Sequence, residues 1–188
     1  MKMQTSVEKL EQSSVAMTVT LISFTMMFAS LFLGYFIFRF NAPVWPPVEL
    51  TDLPKALPLI STLVLGLSSF TYWMMEKNIF SDAQKGKIFW LLTTALGIAF
   101  LGCQWMLWAD LKASGILVTN GILPSMLYAF TWLHAAHIVL GLIGLFWLAW
   151  FVFKKSDQLT DVKVINVGKF WHFLGVVWVL MYLMLFVL

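Results

Sequence analysis

Five stretches free of Asp, Glu, Lys and Arg dominate this sequence, at 12–38, 56–75, 88–109, 113–153 and 170–188. A hydrocarbon core of ~30 Å takes about 20 helical residues to cross, and each stretch can do so. The fourth is long enough to suggest two helices. However, Ser114, Gly115, Asn120 and Gly121 make its first part a polar turn, so one long, tilted helix from near Pro124 to Phe153 fits better, with proline tolerated in the first turn. With 61% hydrophobic and 11% charged residues in 188, a water-soluble domain of this size could not hide its apolar side chains. The expectation is an all-α membrane protein, a five-transmembrane-helix bundle forming a single domain over 1–188. Its spans fall at approximately 15–39, 56–76, 87–109, 123–153 and 166–188.

Loop charge sets a direction. Lys2 and Lys9, then Lys77, Lys85 and Lys87, then Lys154, Lys155, Lys163 and Lys169 fall on one side; Arg39, Lys55 and Lys112 fall on the other. The positive-inside rule then places the N-terminus in the cytoplasm and the C-terminus outside, which is the periplasm if the membrane is a bacterial inner membrane. The first apolar run is too long, and ends too bulkily, for a cleaved signal peptide, so the N-terminus is expected to be retained. The net charge of +3 is spread over several loops, which argues against a nucleic-acid partner. Cys103, the single cysteine, lies in an apolar run and is assigned to packing.

Tryptophans near span ends, among them Trp45, Trp73, Trp108, Trp150 and Trp171, suit either the two membrane interfaces or contacts between helices. Small residues (Ser30, Gly34, Gly97, Gly102, Gly141 and Gly144) stand where helices could approach closely. Close approach matters in lipid, where the hydrophobic effect does not drive helices together.

Three histidines are the first place to look for chemistry. His134 and His137 share one face of the fourth helix, and His134 stands ten residues past Pro124, about 15 Å by helical rise and close to mid-membrane. His172 sits near the cytoplasmic start of the fifth span. A single metal ion gathering all three is only weakly supported, because no carboxylate is expected nearby. Bis-histidine haem would need His172 opposite His134 or His137, since neighbouring turns of one helix cannot supply both axial ligands. The favoured reading has the imidazoles hydrogen-bonding to neighbouring helices or to a lipid headgroup; a proton relay is a third. All nine acids are read as lying in tails and loops, Glu49 and Asp52 among them. Paired-carboxylate and triad chemistry therefore have no machinery in the spans. Neither a phosphate-binding glycine loop nor a transporter-like internal repeat is present. No catalytic, cofactor-binding or metal residue is assigned.

Five motifs, in order, carry a family resemblance. Leu21 to Phe28 with Tyr35 to Arg39 resembles the third helix of haem–copper oxidase subunit III. Trp45-Pro46-Pro47, Leu57-Pro58-Leu59, Ser61-Thr62 and Ser68-Ser69 are similar to that family's Trp-Pro-Pro loop and following helix. Gly102, Gln104 and Trp105 resemble the next helix. Tyr128, Thr131, His134, His137 and Gly141 match its Tyr…Thr-Gly-x-His-x-x-His pattern, and Trp171-His172-Phe173 with Val177-Trp178 resembles the last helix. The usual member has seven helices, so the resemblance implies a short, divergent form lacking the first two.

The resemblance implies a non-catalytic subunit of a terminal oxidase that reduces oxygen to water while pumping protons. Haem and copper would reside in partner subunits, with catalytic subunit I as the principal partner, and structural phospholipid would be bound. Lipid or polar structural contacts are assigned to Arg39, His134, His137, Trp171 and His172. Three acids of the family pattern are replaced, by Phe24, Leu107 and Gly175, which shifts the expectation from proton handling to scaffolding and lipid contact. Two other readings are an accessory protein of a nitric oxide reductase and an independent haem-binding electron carrier.

Overall fold

A computed structural model describes residues 2–43, 56–79, 81–153 and 160–187. The Trp45-Pro46-Pro47 loop, with Glu49, Asp52 and Lys55, lies outside the described residues, as do Lys154 and Lys155. Five long helices follow one another: α1 (Lys2–Asn41), α2 (Ala56–Asn78), α3 (Ala83–Ala113), α4 (Ile122–Phe153) and α5 (Thr160–Tyr182). All five contain segments long and apolar enough to cross a membrane. A 3₁₀ turn (Val118–Asn120) precedes α4, and a π-helical turn (Leu183–Val187) continues α5. The polar segment after α3 breaks the chain where expected, with Gly115 and Gly121 at positive φ (76° and 141°) that other residues rarely adopt.

Helix α1 begins much earlier than the apolar pattern does. No proline or glycine precedes Gly34, so nothing stops the polar N-terminal segment from continuing the helix. Glu76 and Asp110 also differ from the sequence reading: they are helical, in the closing turns of α2 and α3, and not in loops. At the start of α3, Asp82 accepts the backbone N–H groups of Gln84 and Lys85, each at 3.1 Å.

The Lys85 N–H bond, aided by the Lys85 ammonium 3.3 Å away, holds the Asp82 carboxyl below the usual carboxylate range. A carboxyl with the lower pKa in the folded state contributes at neutral pH, and its contribution is lost as pH falls through that folded pKa. Acidification is therefore expected to speed amide exchange in the first turn of α3, and Asp82→Asn, which caps without titrating, should remove the acid sensitivity. Equal sensitivity in the variant would show that the cap is not its source.

Buried positions follow a 3.5-residue seam. On α2 the seam runs through Ser61, Leu65, Ser68, Tyr72 and Met75, with Pro58 and Thr71 buried beside it. On α4 they run Leu127, Thr131, His134, Ile138, Gly141, Leu145 and Leu148, and on α5 Val164, Val167, Trp171, Leu174, Trp178 and Met181. Spacings of three and four keep one stripe facing neighbouring helices, as in left-handed bundles. Helix α2 packs most extensively on α3, and α5 runs against α1, α2 and α4. Helix α1 is peripheral; Val19, Ile22, Met26 and Leu33 lie exposed on its outer side.

The last turn of the chain is tied back to α1. A π turn shifts the backbone ladder and frees a carbonyl, and the buried Tyr35 hydroxyl donates to the Met184 carbonyl at 2.6 Å. Tyr35→Phe is expected to cost about 1 kcal/mol and to speed amide exchange around Met184. Unchanged exchange there would mean that the turn holds without the bond.

Candidate functional site

The interior is organised by one tryptophan and two histidines. Trp171 of α5 is fully buried, and its indole enters a space made by two glycines on other helices. A Cβ at Gly97 of α3 would lie 2.8 Å from the ring, and one at Gly141 of α4 would lie 2.9 Å from it. Real Cβ contacts do not come so close. The indole N–H donates to Ser68 Oγ of α2 at 3.2 Å, and Ser68 donates to the Thr93 carbonyl of α3 at 3.1 Å. The hydroxyls of Thr71 and Thr93 are themselves 2.9 Å apart. One side chain thus touches α2, α3 and α4 from α5, with its single polar atom satisfied as burial requires.

Further along α5, Trp178 donates to Thr62 of α2 at 3.0 Å. Closer to the other end, the Tyr72 hydroxyl donates to the Val164 carbonyl at 2.7 Å, and Tyr72 leans on Gly168, where a Cβ would sit 2.6 Å from its ring. Hydroxyls along α2 therefore receive the tryptophans of α5, while its tyrosine reaches the α5 backbone.

His134 and His137 face inward from α4. Neither ring nitrogen of the fully buried His134 has a hydrogen-bond partner among the described residues. Its imidazole lies against Trp178, Phe100 and Phe28, with ring centroids at 5.3, 5.7 and 6.3 Å. His137 donates through Nδ1 to the Leu133 carbonyl of its own helix at 2.6 Å. Its ring meets Phe24 edge-on at 4.5 Å and Phe28 at 5.4 Å. Among the described residues, the expected hydrogen bonds from these imidazoles to neighbouring helices are not made. Aromatic side chains of α1, α3 and α5 occupy those directions.

His172 is elsewhere. It is half-buried on α5, with the Tyr72 ring edge-on at 5.7 Å, beside a shallow groove of about 330 Å³ that also holds Ser69 and Gly175. The three histidines do not converge, and among the described residues no three His, Cys, Asp or Glu side chains group as metal ligands. A haem plane does not fit beside His134 either, because Phe28, Phe100 and Trp178 already line its ring. Arg39 lies in the last turn of α1, within hydrogen-bonding reach of the Tyr35 hydroxyl.

The three positions where acids were expected have distinct surroundings. Phe24 covers His137 and touches Phe170 at 5.8 Å. Leu107 is fully buried in an apolar cluster with Leu111, Leu127 and Phe186. Gly175 opens onto the His172 groove, and a Cβ there would come within 3.0 Å of Ser69 Oγ. Tyr72, Thr71 and Thr93 were not singled out from the sequence. The seam spacing on α2 was the signal that marks Tyr72, whereas the meeting of Thr71 with Thr93 depends on how α2 and α3 are phased. Of the tryptophans offered to the interfaces, Trp150 and Trp73 are exposed, and Lys77 lies 3.5 Å over the Trp73 ring. Trp171 is interior, and Trp45 lies outside the described residues.

Five apolar helices, interlocked by tryptophan, tyrosine and glycine contacts, define a multi-pass membrane protein. The family model for cytochrome c oxidase subunit III matches residues 5–188. The chain belongs to the cytochrome c oxidase subunit III family. It is 29% identical over 180 residues to cytochrome c oxidase subunit 3 of Thermostichus vulcanus, covering 93% of this chain and 86% of that protein. A Mycobacterium leprae protein named "Probable cytochrome c oxidase subunit 3" is 33% identical over 180 residues, covering 92% and 86%. Cytochrome c oxidase subunit 3 of a Synechocystis species is 27% identical over 171 residues, covering 89% and 72%.

Proposed function

We propose that this chain is the non-catalytic subunit III of a respiratory haem–copper terminal oxidase in a bacterial inner membrane. It would lie beside catalytic subunit I, which carries the haems and copper that reduce oxygen to water with proton pumping. The family match, which spans all five helices, carries this reading. The chain's own contribution is mechanical: it stabilises the catalytic subunit and holds lipid against it. Phe24, Leu107 and Gly175 support scaffolding over proton delivery, because none of the three can carry a proton. The excess of lysines in alternate loops supports a cytoplasmic N-terminus and a periplasmic C-terminus.

Gentle detergent purification through a tag on this chain tests the proposal. Recovery of a larger haem protein with an oxidase spectrum is the expected result, together with no haem absorbance from the separated, folded chain. Stoichiometric haem on the separated chain, or recovery with a nitric oxide reductase in place of an oxidase, would overturn it.

A further inference from the structure

A groove of about 590 Å³ runs between α3 and α4, and none of the three histidines lines it. Its floor is made of small side chains, Ala109, Ala135 and Ala136, and its walls include Trp105 and Trp132. These two indoles are 73% and 58% exposed, so they project as rims instead of closing over the alanines. The outer end is held open by fixed bonds: Trp108 donates to Thr131 at 3.1 Å and Tyr128 donates to the Ile116 carbonyl at 3.0 Å. Among the described residues, Lys112 is the one charged side chain lining the groove, and it stands at the same end as Tyr128.

The dimensions select an occupant. From Leu101 to Lys112 on α3, and antiparallel from Val139 to Tyr128 on α4, each wall rises about 16 Å. Half of a ~30 Å hydrocarbon core is about 15 Å, so the groove spans one leaflet. Its volume lies in the ~300–1,000 Å³ range of small-molecule sites. A helix about 10 Å across needs small residues at its contact face, and the projecting tryptophans keep one off the alanine floor. A single acyl chain fits between them. The lysine at the leaflet edge matches a phosphate, and tryptophan and tyrosine suit the headgroup boundary.

We infer that the α3–α4 groove is a binding site for one phospholipid with a negatively charged headgroup, its acyl chain lying between Trp105 and Trp132 and its phosphate at Lys112. This narrows the lipid-contacting part of the proposed function to a defined place, yet it stands on this chain's geometry and needs no oxidase partner.

Native mass spectrometry of the tagged, intact complex tests it, with palmitoyl-oleoyl phosphatidylglycerol as the probe and the matching phosphatidylcholine as comparison. One phosphatidylglycerol should be retained per copy, more tightly than phosphatidylcholine. Lys112→Gln should weaken phosphatidylglycerol about fivefold, the effect of one lysine near a membrane surface, and weaken phosphatidylcholine less, because choline already neutralises that lipid's phosphate. Ala136→Phe, which fills the exposed floor, should abolish retention of both. Lys112→Gln changes an exposed side chain, so it decides the matter even if Ala136→Phe fails to assemble. Unchanged phosphatidylglycerol affinity in Lys112→Gln overturns the inference. So does an Ala136→Phe complex that sheds a partner subunit with its lipid intact, since the groove would then hold a helix. Co-purification of the haem protein in either case would leave the oxidase assignment standing.

Discussion

Trp171→Ala is expected to be among the most damaging single substitutions in this chain, costing about 3 to 5 kcal/mol, the range found for truncating a fully buried aromatic. The loss is one of van der Waals contact, because lipid supplies no hydrophobic drive to refill the space between helices. Three helices lose their shared contact at once: Ser68 loses its donor, and the surfaces at Gly97 and Gly141 face a cavity. The same wedge can be broken from the other side. Gly141→Val puts a branched side chain where even a Cβ would lie 2.9 Å from the indole, and overpacking of that kind costs about 1 to 3 kcal/mol or more. Gly102→Ala is the matching control, since nothing lies within 4 Å of a Cβ there. Thermal unfolding in detergent should rank Trp171→Ala below Gly141→Val, and Gly102→Ala level with the wild type. A Gly141→Val protein as stable as Gly102→Ala would refute the wedge.

The second large effect has the opposite sign. His134 is fully buried, with neither ring nitrogen partnered among the described residues, and a buried polar group in that state costs about 1 to 3 kcal/mol. Replacing it by leucine, similar in bulk and without polar atoms, is expected to raise the stability of the chain by an amount in that range. The haem content and spectrum of the assembled complex should not change, because the rings that the imidazole meets among the described residues are those of Phe28, Phe100 and Trp178. A destabilised His134→Leu protein, or a complex whose spectrum shifts, would show that the imidazole bonds to something the bundle itself does not provide.

Five helices were legible in the sequence because lipid imposes a simple code: long runs without charge, interrupted by Ser114, Gly115, Asn120 and Gly121. Helix ends were less so. Lipid ends at the headgroups but a helix does not, so α1 runs back to Lys2, and Glu76 and Asp110 sit in closing helical turns. The motif residues were visible by type, yet their partners were not. Trp171 read equally well as an interface anchor or a packed residue, since the choice depends on the rotation of α5 against three other helices. The seam spacing through Leu127, Thr131, His134, Ile138 and Gly141 was present in the sequence and pointed His134 inward. It could not reveal that the ring would meet only aromatic faces, which are contributed by residues far away in the chain.

The position of the wedge also bears on the order in which the bundle can be completed. Chains are made from the N-terminus, and helices that have each inserted in lipid associate afterwards. Trp171, Trp178 and Gly168 all belong to α5, the last of the five helices to leave the ribosome. Until α5 enters, Gly97 and Gly141 face no indole, Ser68 and Thr62 receive no donor, and Tyr72 has no Val164 carbonyl to reach. Synthesis that stops before α5 therefore yields four inserted helices without the residues that lock them, a product that quality-control proteases can recognise by its loose packing. The last of the five helices acts as a keystone, and its arrival supplies the contacts that lock the other four.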